Sequence, residues 1–197
     1  MDLKKAFDMV DHNLLCKKLH DYKISTDSMK WFESYLSLRT QNLCIGNNIS
    51  NPEPVKYGVS QGSIIIFIND LPLENLTSEI DMYADDTTLS INGKNIFEIE
   101  ATLNEDLNYV NMRCTNNNMV INPTKTTCML IGTKQRKAMM EKEFNIYIGN
   151  ENIQNVNIQK LLGIYLDHNL DWKKQIDYIC KNVSSRLFLF AKIKKIS

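Results

Sequence analysis

The five residues Tyr83-Ala84-Asp85-Asp86-Thr87, "YADDT", stand between the apolar-leaning "IDM" and "TLSIN". Adjacent like charges repel, and each carboxylate prefers full hydration. A surface turn tolerates such a pair, because Asp suits turns and hairpin tips. A divalent cation bound there would instead make use of the repulsion. Alternation on both sides makes "IDMYADDTTLSING" a hairpin with its carboxylates at the tip. Whether the tip is a plain turn or a cation site depends on what the remaining chain brings to it.

With 197 residues, 43% hydrophobic and 23% charged, the chain suits one ordinary globular domain or two small ones with a sizeable core. Its longest apolar run, "IIIFI" from Ile64 to Ile68, is far too short to cross a membrane. The N-terminus, with Lys4 and Lys5 leading into "AFDMVDH", carries no secretory pattern. Cys16, Cys44, Cys114, Cys128 and Cys180 are odd in number, scattered and never CxxC. That usage predicts reduced, mostly buried thiols in an intracellular protein, cytoplasmic or nuclear, without disulfides or zinc.

Formal net charge is zero, but its distribution is uneven. From residue 173 onward Lys173, Lys174, Lys181, Arg186, Lys192, Lys194 and Lys195 face only Asp177. A solvated helix face explains such a tail. So does a nucleic-acid backbone grip beside an acidic body.

Apolar residues at 14, 15, 19 and 22 predict a short helix, and Thr26 reads as the N-cap of a second through Met29, Phe32, Tyr35 and Leu36. "TQNLCIGNNISNPEPVKYGV" reads as two strands about Gly46, Asn47 and Asn48. Ile96, Ile99, Leu103, Leu107 and Val110 predict a long helix covering a sheet face. "TTCMLIG", "FNIYIG" and "LLGIYLD" are later strand candidates. Asp171 can cap a last helix whose apolar face is Ile176, Ile179, Val183, Leu187 and Phe190. This irregular alternation predicts an α+β fold, an antiparallel sheet backed by helices.

A second acidic cluster opens the chain in "MDLKKAFDMVDH", with Asp2, Asp8 and Asp11. Two-metal phosphoryl transfer requires carboxylates from separate strands to meet around ions about 3.5–4 Å apart. "DLKKAFDMVDH", "GVSQGS…FINDLP", "YADDTTL", "NPTKT" and "LLGIYLD…W" resemble reverse transcriptase motifs A to E, in that order and over nearly the whole chain. The wording is most similar to non-LTR, jockey-like retrotransposons.

The resemblance implies a right-hand polymerase palm over residues 1–170 and the start of a helical thumb over 171–197. It implies that Asp2, Asp85 and Asp86 hold Mg²⁺ or Mn²⁺, assisted by the Leu3 carbonyl. Phe7 takes the steric-gate position under the incoming sugar; in isolation it would read as core. Gln61 and Gly62 match the pair lining the nucleotide pocket, Gly62 letting the backbone approach the substrate. Lys125 resembles the lysine beside departing pyrophosphate, where a cation is physically sensible. Leu162 and Gly163 sit where the primer grip lies. RNA template, DNA primer and dNTP are the implied partners. Asp8 and Asp11 receive no chemistry, a helix start or local hydrogen bonding being expected of them.

Two departures from the family pattern qualify this. The motif A strand and the fingers are expected upstream of Met1. Between "QGS" and "IND" stand only Ile64, Ile65, Ile66 and Phe67, where the family has a longer apolar run. Losing about six residues would shorten a helix by about 9 Å and turn the downstream chain by about 240° beyond one full turn. An impaired polymerase is therefore expected. The alternatives are a non-catalytic retroelement remnant with at most nucleic-acid binding, and a related palm polymerase such as an intron maturase or telomerase.

Overall fold

Asp11 starts the first helix: its Oδ1 accepts the N–H groups of Asn13 at 2.8 Å and Leu14 at 3.0 Å, satisfying donors that have no partner within a helix. The computed structural model describes residues 1–37, 39–59, 64–69, 76–138 and 144–193. They fall into two compact units, Met1–Thr126 with Ile146–Asn152, and Thr127–Asn145 with Ile153–Ser197.

In the first unit, α1 (His12–Asp21) buries Leu15 and Leu19 and packs on α2 (Thr26–Leu36) and on α3 (Ile64–Ile68). Ser25, not Thr26, is the N-cap of α2, its hydroxyl accepting Ser28 N–H at 3.4 Å. Both residue types can cap; the choice falls one residue earlier because Ser25 retains non-helical backbone. Lys18 is buried on α1, its ammonium donating to the Phe67 carbonyl at 2.6 Å and lying 4.5 Å from that ring's centroid. A carbonyl and a ring face together offset part of the ammonium's desolvation.

Residues 40–54 form a ribbon in which β1 (Thr40–Gln41) pairs with β4 (Glu53–Pro54), and β2 (Cys44–Ile45) with β3 (Asn48–Ile49). Next comes the hairpin of β5 (Glu79–Tyr83) and β6 (Asp86–Ser90), whose register pairs Tyr83 with Asp86 and Met82 with Thr87. Ile80, Met82, Thr87 and Leu89 share the inner face, and Glu79, Asp81, Tyr83 and Asp86 the outer. The expected long helix is α4 (Ile96–Asn116), capped by Asn95 and burying Leu107, Val110 and Cys114; it packs on β8 (Tyr147–Ile148), which pairs with β9 (Glu151–Asn152).

The second unit holds β7 (Thr127–Cys128), α5 (Lys134–Ala138), β10 (Gln154–Asn155), the hairpin β11 (Ile158–Leu161) and β12 (Ile164–Asp167), and α6 (Lys173–Ile193). The mixture of helices and strands expected of an α+β fold is present. Among the described residues the strands form six two-stranded sheets, five antiparallel and one, β7 with β10, parallel. "TTCMLIG" and "FNIYIG" shrink to two-residue strands, because apolar content predicts extended chain while a ladder also requires a partner of equal length.

Two surface expectations are corrected. Cys114 is buried, but Cys44 and Cys180 are exposed and Cys16 and Cys128 half-buried, so the free thiols are not mostly buried. Ile176, Ile179, Val183 and Leu187 of α6 remain exposed, because that helix meets β12 through Gln175 and Tyr178 instead. Phe190's side chain lies outside the described residues. No helix among the described residues is long and apolar enough to cross a membrane.

Asp106, on α4, is 4% exposed and accepts Thr77 N–H at 3.2 Å, Ser78 N–H at 2.7 Å and the Ser78 hydroxyl at 2.6 Å. It ties the entrance of β5 to the helix. Asp106→Ala should lower stability by about 3 kcal/mol in urea unfolding, since buried donors lose a charged acceptor. A change within about 0.5 kcal/mol would mean that this tie is dispensable.

Candidate active site

The hairpin tip is a two-residue loop, Ala84-Asp85, closed by the Tyr83–Asp86 pair. Ala84 takes φ 54°, a left-handed conformation normally left to glycine, at a cost of about 1 kcal/mol. Asp85 is half-buried in the loop, whereas Asp86 is exposed as the first residue of β6. The two carboxylates thus occupy different environments within one turn.

Asp2 is held by backbone pairing with residues 120–122. Lys4 N–H donates to Val120 O at 2.8 Å and Asn122 N–H to Asp2 O at 2.8 Å, flanking an antiparallel bridge between Leu3 and Ile121. The Met1 nitrogen donates to Thr87 O at 2.6 Å. Burial pushes that amino group below its ordinary pKa, while the Asp86 and Asp2 carboxylates pull it back up. Carboxylates from both ends of an 84-residue separation therefore act on one nitrogen.

Asp2 Oδ2 is buried and has no hydrogen-bond partner, as does Thr87 Oγ1. An acceptor stripped of water and donors fits a hard divalent ion, whose ligands are carboxylate oxygens. Among the described residues no three His, Cys, Asp or Glu side chains converge closely enough to hold a metal by themselves. The acidic trio is not a closed protein cage.

"NPTKT" folds as a turn, Thr126 N–H and Lys125 N–H both donating to Asn122 O, at 2.9 and 3.3 Å. Lys125 is exposed, and its neighbour Thr126 is buried with Oγ1 accepting Asp2 N–H at 3.1 Å. Phe7 is half-buried, its carbonyl accepting Val59 N–H at 2.9 Å. Gly58, at φ +90°, lies so close that an added Cβ would stand 3.2 Å from Phe7 O and 3.3 Å from Asp8 Cα. His12 Nε2 meets Gly58 O at 2.8 Å. Asp2, Phe7, Lys125 and the tip are thus held in one unit. Gln61 and Gly62 lie outside the described residues. Sequence reasoning assigned nothing to Thr126 or Gly58; the only hint was their place inside "NPTKT" and "GVSQGS".

Leu162 and Gly163 belong to the second unit, where they form the β11–β12 loop with φ 46° and +88°. Two positive φ values are the signature of a type I′ hairpin turn. Beside it Lys160 Nζ lies 5.4 Å from the Tyr165 ring centroid and 5.2 Å from that of Tyr178, and Lys174 Nζ lies 5.8 Å from Tyr165. Asp171 Oδ1 accepts Lys173 N–H at 3.2 Å, as expected of a residue opening the last helix.

Residues 1–183 match the family model "Reverse transcriptase (RNA-dependent DNA polymerase)". Over 193 residues the chain is 27% identical to "RNA-directed DNA polymerase from mobile element jockey" of Drosophila melanogaster, an alignment covering 91% of this chain and 20% of that relative.

Asp167 ends β12 and gathers the next turn, accepting N–H bonds from Asn169 at 2.9 Å, Asp171 at 3.0 Å and Trp172 at 3.1 Å. Burial acts to raise its pKa, but these donors outweigh burial and hold it below the usual value. The unfolded chain then binds the proton more readily, so this stabilisation is complete above the unfolded pKa and lost as pH falls through the folded one. Urea midpoints measured from about pH 6 down to about pH 3 should fall less steeply in Asp167→Asn than in the parent. Equal slopes would remove this carboxylate from the acid response.

Proposed function

From the premise that the chain belongs to the reverse transcriptase (RNA-dependent DNA polymerase) family, we propose that it is the palm, residues 1–170, and the beginning of the thumb, 171–197, of a retrotransposon polymerase that copies RNA into DNA. The observation that supports this reading is the bond from the Met1 nitrogen to the Thr87 carbonyl, next to Asp86, together with the buried, unpartnered Oδ2 of the adjoining Asp2. The chain spans 20% of the length of the relative it matches, so the whole element's activity is proposed here and not inherited from it.

Asp2, Asp85 and Asp86 would hold Mg²⁺ or Mn²⁺, with the Leu3 carbonyl as a further oxygen. Such ions supply charge neutralisation and activation of the attacking primer 3′-hydroxyl. Few protein ligands suffice, because substrate phosphates and water complete the shell. Phe7, fixed at its carbonyl by Val59, would lie under the incoming sugar and exclude a 2′-hydroxyl. Lys125 would place its cation where pyrophosphate leaves. Gln61 and Gly62 would line the dNTP pocket.

In the second unit, Leu162 and Gly163 would press the primer end. Lys160 and Lys174, set over Tyr165 and Tyr178, would meet nucleic-acid phosphate, as would the basic residues of α6. The short apolar run after motif B, only Ile64, Ile65, Ile66 and Phe67 between "QGS" and "IND", favours a second reading in which the chain binds nucleic acid without efficient catalysis. Catalysis depends on positioning, and a misplacement of about 1 Å costs on the order of 10²-fold.

Primer extension on poly(rA)·oligo(dT) with Mg²⁺ separates these readings. The chain as it stands should incorporate dTTP slowly, and inserting the family's longer run after Ser63 should raise the rate. Asp85→Asn should lower either rate by about 10²-fold or more. Extension unaffected by Asp85→Asn would refute the assigned site. Primer–template binding without extension in both forms would favour the non-catalytic reading.

A further inference from the structure

The Asp2 main chain is gripped on both sides by one turn. Asn122 N–H donates to its carbonyl at 2.8 Å, and its own N–H donates to Thr126 Oγ1 at 3.1 Å. The turn is itself cross-braced, by Thr126 N–H to Asn122 O at 2.9 Å and by the Thr124 hydroxyl to Asn122 Oδ1 at 2.8 Å. Thr126 is 4% exposed, so its hydroxyl meets Asp2 away from bulk water. On the other side of the same residue Asp2 Oδ2 is buried with no partner, which leaves the carboxylate unsupported by any donor at that oxygen. The backbone clamp fixes the main chain from which this carboxylate extends.

We propose that Thr126 is a positioning residue for the divalent-ion ligand Asp2, its hydroxyl setting the Asp2 backbone and thereby the direction of the unpartnered Oδ2. This rests on the reading of Asp2 as a metal ligand and adds a residue to it. Lys125 immediately precedes Thr126, so one turn fixes the register of the leaving-group cation against the metal-binding carboxylate. Outer partners that orient a ligand change metal affinity by about 10–100-fold when removed. A loss near the lower end is expected here, because Thr126 acts through backbone and not on the carboxylate itself.

The test is Mn²⁺ affinity of the full chain, read from the electron paramagnetic resonance signal of free Mn²⁺ and referred to the folded fraction from circular dichroism. Thr126→Val keeps shape and removes the hydroxyl, and Thr126→Ser keeps the hydroxyl. Thr126→Val should weaken Mn²⁺ binding about 10-fold, and Thr126→Ser should restore it to within about 2-fold of the parent. A purely structural role would lower the folded fraction and leave the affinity of the folded protein unchanged. Should Thr126→Val fail to fold, Thr126→Ala, which admits water to Asp2 N–H, takes its place with the same expectation.

Parental affinity in the hydroxyl-free variant, alongside loss in Asp2→Asn, would overturn the positioning role while keeping Asp2 as ligand. Unchanged affinity in Asp2→Asn, or no saturable Mn²⁺ binding by the parent, would overturn the underlying reading and this proposal with it.

Discussion

The candidate site depends on an antiparallel clasp between residues 2–4 and 120–122. Two backbone bonds of 2.8 Å flank the Leu3–Ile121 bridge, and both side chains of that bridge are buried. Each such bond contributes about 1 kcal/mol net, so the clasp relies on apolar burial to hold. Its consequence is positional: Asp2 cannot leave residues 120–122 without breaking the pairing, and the Met1–Thr87 bond joins this strand end to the hairpin. Gly58, under Phe7 and Asp8, steadies the adjoining stretch by close backbone approach.

The site combines features that do not favour stability. Ala84 holds a left-handed φ beside two carboxylates, and Asp2 Oδ2 is desolvated without a donor. Such costs, of order 1–3 kcal/mol each, persist where surrounding structure over-determines the geometry. The Asp106 tie at the base of β5 and the clasp on Asp2 provide that restraint. A plain surface turn would require neither.

Several elements were legible from residue pattern alone. Apolar spacing found α4 and alternation found the β5–β6 hairpin, whereas the single strand read over "LLGIYLD" is divided by a turn at Leu162-Gly163, where both φ values are positive. Contact at long separation escaped. Thr126 is an ordinary threonine until its hydroxyl is seen on Asp2 N–H, 124 residues away. Gly58 resembles any loop glycine until Phe7 O is placed beside it. The exposed apolar row of α6 escaped for a different reason: periodicity identifies an amphipathic face but not whether anything covers it.

The central claim is that Asp2 and the Asp85–Asp86 tip share one divalent-ion site. Paramagnetic broadening of backbone amide signals by substoichiometric Mn²⁺ tests it directly, since the effect falls steeply with distance from the ion. The account predicts that the amides of Asp2 and of Asp85, Asp86 and Thr87 broaden together, and that Asp85→Asn with Asp86→Asn removes the effect at Asp2 as well. Broadening at the hairpin alone, with the Asp2 signal untouched, would contradict it.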